Sequence, residues 1–212
     1  RFVVEGRAAV ATSVDYLPDG FYDAVQMVYP GVDWRSVSAA DSPCPVYFSS
    51  SAKGGLKVAV VGLVPEMSLQ IARLAAFSAG ARICASYPYR LTRAAIETIE
   101  RAQPDILLLC GGTDGGNERY VSENALALAG SDYRGTIIYA GNSCAADRVV
   151  DQLAGRELVV TENLMPDFGR LNIEPVREAI RRIFLDKIVS GKGLDRLVAA
   201  FATRPVPTPL AV

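Results

Sequence analysis

A chain of 212 residues, half of them hydrophobic and 21% charged, can bury a sizeable core and is neither disordered nor fibrous in composition. Lysine and arginine number 22 against 23 acidic residues, and no run of like charges forms a phosphate-tracking patch, which argues against a nucleic-acid partner. The absence of histidine excludes Ser-His-Asp and Cys-His catalysis, histidine proton relays and histidine-ligated metals within the chain.

The longest apolar runs, Val58–Val61 and Ile106–Cys110, fall far short of the ~20 residues a membrane-spanning helix needs, so no membrane role is expected. Cys44, Cys84, Cys110 and Cys144 stand singly, with neither zinc-type nor dithiol spacing. The start at Arg1 lacks a signal-peptide pattern. A reduced cytoplasm is the expected location.

Residues 1–14 read as a hairpin turning at Glu5-Gly6-Arg7, followed by a helix over 21–29 that Pro30-Gly31 closes. The Ser- and Pro-rich stretch 33–45 reads as a loop that leaves Trp34 free to lie at the surface. From residue 46 the pattern alternates: strands at 46–49, 57–63, 81–86, 105–110, 136–140 and 157–161, and helices at 66–79, 92–102, 117–129 and 144–154. Such alternation predicts an α/β fold with a mainly parallel, Rossmann-like sheet joined by right-handed crossovers. Thr92 is placed to cap its helix and Pro104 to stop it, while Gly80 suits a left-handed helix end. Met67, Ile71, Leu74 and Ala75 form one apolar stripe on the helix over 66–79.

Beyond Thr161 a long helix is expected, capped by Asn172 and carrying Val176, Ile180, Ile183, Phe184 and Ile188 on its apolar face. A shorter helix around Leu194–Phe201 completes a C-terminal helical pair, and residues 204–209 read as extended linker. The expected organisation is an N-terminal strand and helix segment over 1–55, a Rossmann-like unit over 56–165, and a helical segment with linker over 166–212.

The run Gly111-Gly112-Thr113-Asp114-Gly115-Gly116-Asn117 lies between a buried strand and a helix, at the sheet edge where open α/β folds bind ligands. Its bare backbone N–H groups can receive a phosphate or carboxylate, and Asp114 can hold Mg²⁺ through water or cap the helix. Equally, the glycines can serve only a tight turn and close helix packing. The run matches neither a Walker A loop nor Gly-x-Gly-x-x-Gly. Gly141 and Asn142 follow the next strand and fall on the same edge, either as a second wall of a cleft or as a helix start. Lys53, in the loop 49–57, can supply a charge to a phosphate or simply be solvated. Cys110 and Cys144 read as small buried hydrophobes rather than nucleophiles.

Several segments in order resemble one family: Ser50–Lys57, Val61-Gly62-Leu63-Val64-Pro65-Glu66, Gly111–Asn117, Ala140-Gly141-Asn142 and Leu171–Ile180. Together they resemble the glutamate mutase L family, which shares the name MutL with a mismatch-repair protein but not its ancestry. The likeness covers about residues 49–209. The resemblance implies an actin/Hsp70-like ATPase that uses ATP and Mg²⁺. It further implies a chaperone or reactivase role toward a cobalamin-dependent mutase of glutamate mutase or aminomutase type. Members carry an Asp-Phe-Gly-Ser-Thr-type and an Asp-x-Gly-Gly-type phosphate loop, and neither occurs here. The chain is therefore expected to span the segment between them, with residues 1–55 belonging to an actin-like lobe, and not to hydrolyse ATP alone. The alternative is a Rossmann-like module that binds a nucleotide or cobalamin without ATPase activity. For cobalamin, the Asp-x-His-x-x-Gly motif is impossible without histidine.

Overall fold

The computed structural model describes residues 4–11, 16–47, 49–50, 56–189, 193–201 and 206–207. In chain order the elements are α1 (Leu17–Val28), β1 (Ser49–Ser50), β2 (Lys57–Gly62), α2 (Gln70–Ser78), β3 (Arg82–Pro88), α3 (Arg93–Ala102), β4 (Ile106–Gly111) and α4 (Arg119–Ala129). They continue with β5 (Thr136–Gly141), α5 (Ala146–Gln152), β6 (Leu158–Val160), α6 (Glu174–Val189), α7 (Leu194–Phe201) and β7 (Val206–Pro207). Two compact units result, residues 1–50 with 183–211 and residues 51–182.

The larger unit is organised by β4, whose six residues are all buried. A strand apolar on both faces must be central and covered on both sides, and parallel pairing through helical crossovers provides that cover. The sheet is all parallel in the order β3-β2-β4-β5-β6. Leu107 and Leu109 of β4 join Val61, Ile137 and Tyr139 in one core layer with Ile99, Val121, Leu128 and Val149 from the helices. Ile106, Leu108 and Cys110 alternate with them on the other face, as strand geometry requires. Counted within the sheet, this is the doubly wound order 2-1-3-4-5, which reverses between β2 and β4.

Local signals set the helix ends. The Thr92 hydroxyl accepts from Ala95 N–H at 3.2 Å, and Gly80 (φ +78°) closes α2 as Ala81 N–H returns to Ala76 O at 3.0 Å. The expected stripe on this helix is displaced. A π-helical turn over Pro65–Leu69, with Leu69 N–H bonded to Val64 O, inserts a residue before α2 begins. Ala72, Ala75 and Ala76 therefore face inward, and Leu74 is exposed. At the amino edge of the sheet Arg156 turns its guanidinium onto the end of α4. It donates to the carbonyls of Leu128 (3.1 Å), Ala129 (2.8 Å), Ser131 and Tyr133 (2.6 Å).

In the smaller unit Trp34 is 1% exposed, against the expectation of a surface position. Its indole N–H donates to Tyr29 O at 3.3 Å, and its ring lies against Tyr29 and Phe201. The apolar ring outweighs the polar composition of the surrounding loop. Helix α1 starts earlier than expected because Pro18 is tolerated in a first turn. Residues 4–11 carry no strand, and the rest of the expected hairpin lies outside the described residues. Val206–Pro207, expected as linker, pairs in parallel with Ser49–Ser50. No helix among the described residues is long and apolar enough to cross a membrane.

Leu108→Ala empties a fully buried site on the central strand and is expected to lower unfolding free energy by about 3 kcal/mol. Leu126→Ala, at a position 61% exposed on α4, should change it by less than about 0.5 kcal/mol. Urea unfolding followed by circular dichroism checks both.

Candidate functional site

Three loops meet at the carboxyl edge of the sheet: residues 112–118 after β4, residues 142–145 after β5, and residues 161–173 after β6. Strands β4 and β5 enter their loops through glycines because their backbones run too close for side chains. A Cβ on Gly141 would stand 2.9 Å from Gly111 O, and Gly112 sits at φ +77° with its missing Cβ directed at Asn117 O.

A polar knot ties the loops. Asp114 Oδ1 accepts from Ser143 N–H at 2.8 Å and from Asn163 Nδ2 at 2.8 Å, while Asp114 N–H donates to Pro166 O at 2.8 Å. Asn163 Nδ2 also reaches Gly112 O at 2.9 Å, and Asn163 Oδ1 accepts from Met165 N–H. Asn142 binds the glycine-rich loop on both sides. Its Oδ1 accepts from Gly115 N–H (3.2 Å) and Cys144 N–H (2.9 Å), and its Nδ2 donates to Gly116 O (3.2 Å). Tyr139 buttresses it by donating from its hydroxyl to Asn142 O at 2.6 Å, and burial pushes that phenol well above its ordinary range.

The residues anticipated from sequence are thus gathered in one place: Gly111, Gly112, Thr113, Asp114, Gly115, Gly116, Asn117, Gly141 and Asn142. Lys53 lies outside the described residues. Asn163, Ser143 and Tyr139 were not anticipated. Asn163 had one signal, its place as an amide just past the last strand and so on the same edge. Asn117 acts as the helix cap, accepting from Tyr120 N–H at 3.3 Å.

Three of the loop's donors have partners within the fold. The N–H groups of Asp114, Gly115 and Gly116 bond to Pro166 O, Asn142 Oδ1 and Thr113 O. The crevice at the reversal between β2 and β4 is lined by Ser68, Gly112, Leu164 and Met165 and holds about 10 Å³, room for about one water molecule. Among the described residues no three His, Cys, Asp or Glu side chains stand together as a metal site.

Burial raises the Asp114 pKa, but hydrogen bonds from Ser143 and Asn163 outweigh it and hold the carboxyl below its usual value of 3.8. Cys110 donates its thiol to Val61 O at 3.3 Å, and burial pushes its pKa up to about 12, so it carries no thiolate chemistry. Cys144, expected to be buried, is exposed because it sits on the 3₁₀ turn beyond β5 rather than on the strand.

A family profile described as MutL protein matches residues 3–212. Protein MutL of Clostridium tetanomorphum is 45% identical over 165 residues, which is 77% of this chain and 36% of that relative. The chain belongs to the MutL family of glutamate mutase. It spans about a third of that relative's length. Looser likenesses link the sheet to solved structures. The NarL receiver domain of Mycobacterium tuberculosis is 19% identical, covering 59% of this chain and 93% of that one at a TM-score of 0.38. A receiver domain of a diguanylate cyclase from Desulfovibrio desulfuricans G20 is 14% identical, covering 64% and 98% at 0.43. A short-chain flavodoxin associated with a PDU bacterial microcompartment is 17% identical, covering 62% and 98% at 0.42.

Asn163→Ala removes an amide that serves both Gly112 O and Asp114, and should cost about 1–3 kcal/mol in urea unfolding. Asp114→Asn tests the charge. A carboxyl with a lowered folded pKa stabilises above pH 3.8, and that contribution is lost as pH falls through the lower folded value. The penalty of Asp114→Asn should be largest at neutral pH, under about 1 kcal/mol at this exposed carboxylate, and vanish toward pH 2. Unfolding midpoints measured between pH 2 and 7 check the sign.

Proposed function

We propose that the chain is the partner-facing part of an accessory protein that, with ATP and Mg²⁺, acts as a chaperone or reactivase for a cobalamin-dependent mutase. Membership of the MutL family over residues 3–212 supports the mutase association. The observation that favours a partner-facing role is the closed carboxyl edge, where side chains from three loops satisfy one another.

MgATP does not fit at the Gly111–Asn117 loop in this arrangement. A nucleotide needs a cleft of several hundred Å³, against about 10 Å³ beside Gly112, and the N–H groups of Asp114, Gly115 and Gly116 have partners within the fold. No step of ATP chemistry is therefore assigned to these residues. Their part is to hold three loops in fixed register, so that the carboxyl edge offers one rigid surface to a partner.

The second reading, a small-ligand module, draws on the doubly wound strand order, whose reversal point between β2 and β4 is the usual ligand position. The small volume of the same crevice, about 10 Å³ beside Leu164 and Met165, weighs against it.

Reactivation of mutase inactivated during turnover tests the first reading. With the intact protein present, mutase activity should return with MgATP and stay lost with a non-hydrolysable analogue. No recovery under either condition would sink the reactivase role. A thermal shift separates the second reading. Ligand at ~100-fold over its Kd adds about 2.7 kcal/mol, roughly 5–10 °C for a domain of this size. This chain should show no such shift with MgATP, MgADP or hydroxocobalamin, and a shift of that size would restore the ligand module.

A further inference from the structure

Asp114 is followed by Gly115, and in an Asp-Gly pair the backbone is open to attack on its own side chain. The Gly115 nitrogen can add to Cγ of Asp114. A C–N bond then closes a five-membered succinimide, and the carboxyl OH departs as water with the amide hydrogen. Water next reopens the ring. Addition at Cγ restores aspartate, whereas addition at the main-chain carbonyl carbon breaks the original peptide bond and leaves the chain running through Cγ, an isoaspartate of unchanged mass. Glycine permits the attack because no Cβ shields its nitrogen. Water is the only co-reactant.

Three features of the carboxyl edge oppose that reaction. The attack needs Cγ to swing over the following nitrogen, but Asp114 Oδ1 is pinned to two other loops by Ser143 N–H and Asn163 Nδ2, both at 2.8 Å. It also needs the peptide between the two residues to turn, but Asp114 N–H is fastened to Pro166 O and Gly115 N–H to Asn142 Oδ1. The ring closes through a neutral carboxyl, and the hydrogen bonds from Ser143 and Asn163 keep this one ionised below its ordinary range. Every partner lies within residues 114–166 of one compact unit, so the protection is internal and does not depend on what surrounds that unit. The reaction can proceed only from an opened loop, and its rate reads how often the tie opens.

We propose that Asp114-Gly115 is a site of spontaneous, succinimide-mediated isomerisation that the Asn142 and Asn163 amides hold dormant. Its consequence runs one way. Isoaspartate carries its carboxylate on Cα, one methylene shorter, while the backbone gains that carbon, so the group that joins the loops after β5 and β6 is displaced from Ser143 and Asn163. An edge that opened transiently is thereby kept open.

The test ages the intact protein at neutral pH and counts isoaspartate at position 114 by mass spectrometry with electron-transfer fragmentation, which locates the displaced backbone carbon. In the parent it should form about tenfold or more slowly than in a synthetic peptide of residues 111–120, because only the opened fraction reacts. Asn142→Ala frees Gly115 N–H and should raise the rate at Asp114 about tenfold. Asp19-Gly20, in α1 of the other compact unit, should keep its parent rate and serves as the control. Equal rates in parent and peptide, or an unchanged rate at Asp114 in the variant, would overturn the proposal. A rise at both dipeptides marks a variant unfolded as a whole, and Asn163→Ala, which releases the carboxylate and leaves Gly115 N–H bonded, then decides by the same comparison.

Discussion

A buried parallel sheet gathers all its outgoing loops on one edge, and the polar backbone there must find partners without a further layer of structure to cover it. Asp114 is the group on which that edge turns. One carboxylate oxygen receives the loop after β5 through Ser143 and the loop after β6 through Asn163, while the residue's own N–H holds Pro166. The glycines around it follow from the same constraint, because the loops after β4 and β5 can converge this closely only where Cβ atoms are absent.

The fold was largely legible in the sequence because periodicity and punctuation agreed. Ile106–Cys110 announced the central strand, Thr92 its helix start and Gly80 its helix end, and each acts as its chemistry predicts. What escaped were features set by register and packing. The π turn before α2 rotated the apolar stripe by about one residue, and no local propensity marks such an insertion. Trp34 looked like a loop residue because its neighbours are polar, yet Phe201, far along the sequence, supplies part of its cover.

The candidate site was legible as a location and less so as an arrangement. Gly111–Asn117 with Gly141 and Asn142 could be placed on one edge from strand direction alone. That the N–H groups of Asp114 and Gly115 turn inward depends on Pro166 O and on Asn142 Oδ1, which lies 27 positions beyond Gly115, and hydrogen bonds across such separations leave no periodic trace. The glycine-rich pattern that reads as an anion cradle is thus equally the pattern of a tie between strands. Only the partners of the amides separate the two.

Each end of the sheet is fastened by side chains that reach across its loops. At the amino edge the Arg156 guanidinium grips the last carbonyls of α4, while the Asp105 and Glu157 carboxylates accept from Lys57 N–H and the Thr136 hydroxyl. At the carboxyl edge the Asp114 carboxylate works beside the amides of Asn142 and Asn163. Loss of the Asp114 charge in acid therefore removes one thread of a redundant tie, and the carboxyl edge keeps the amides that join its loops.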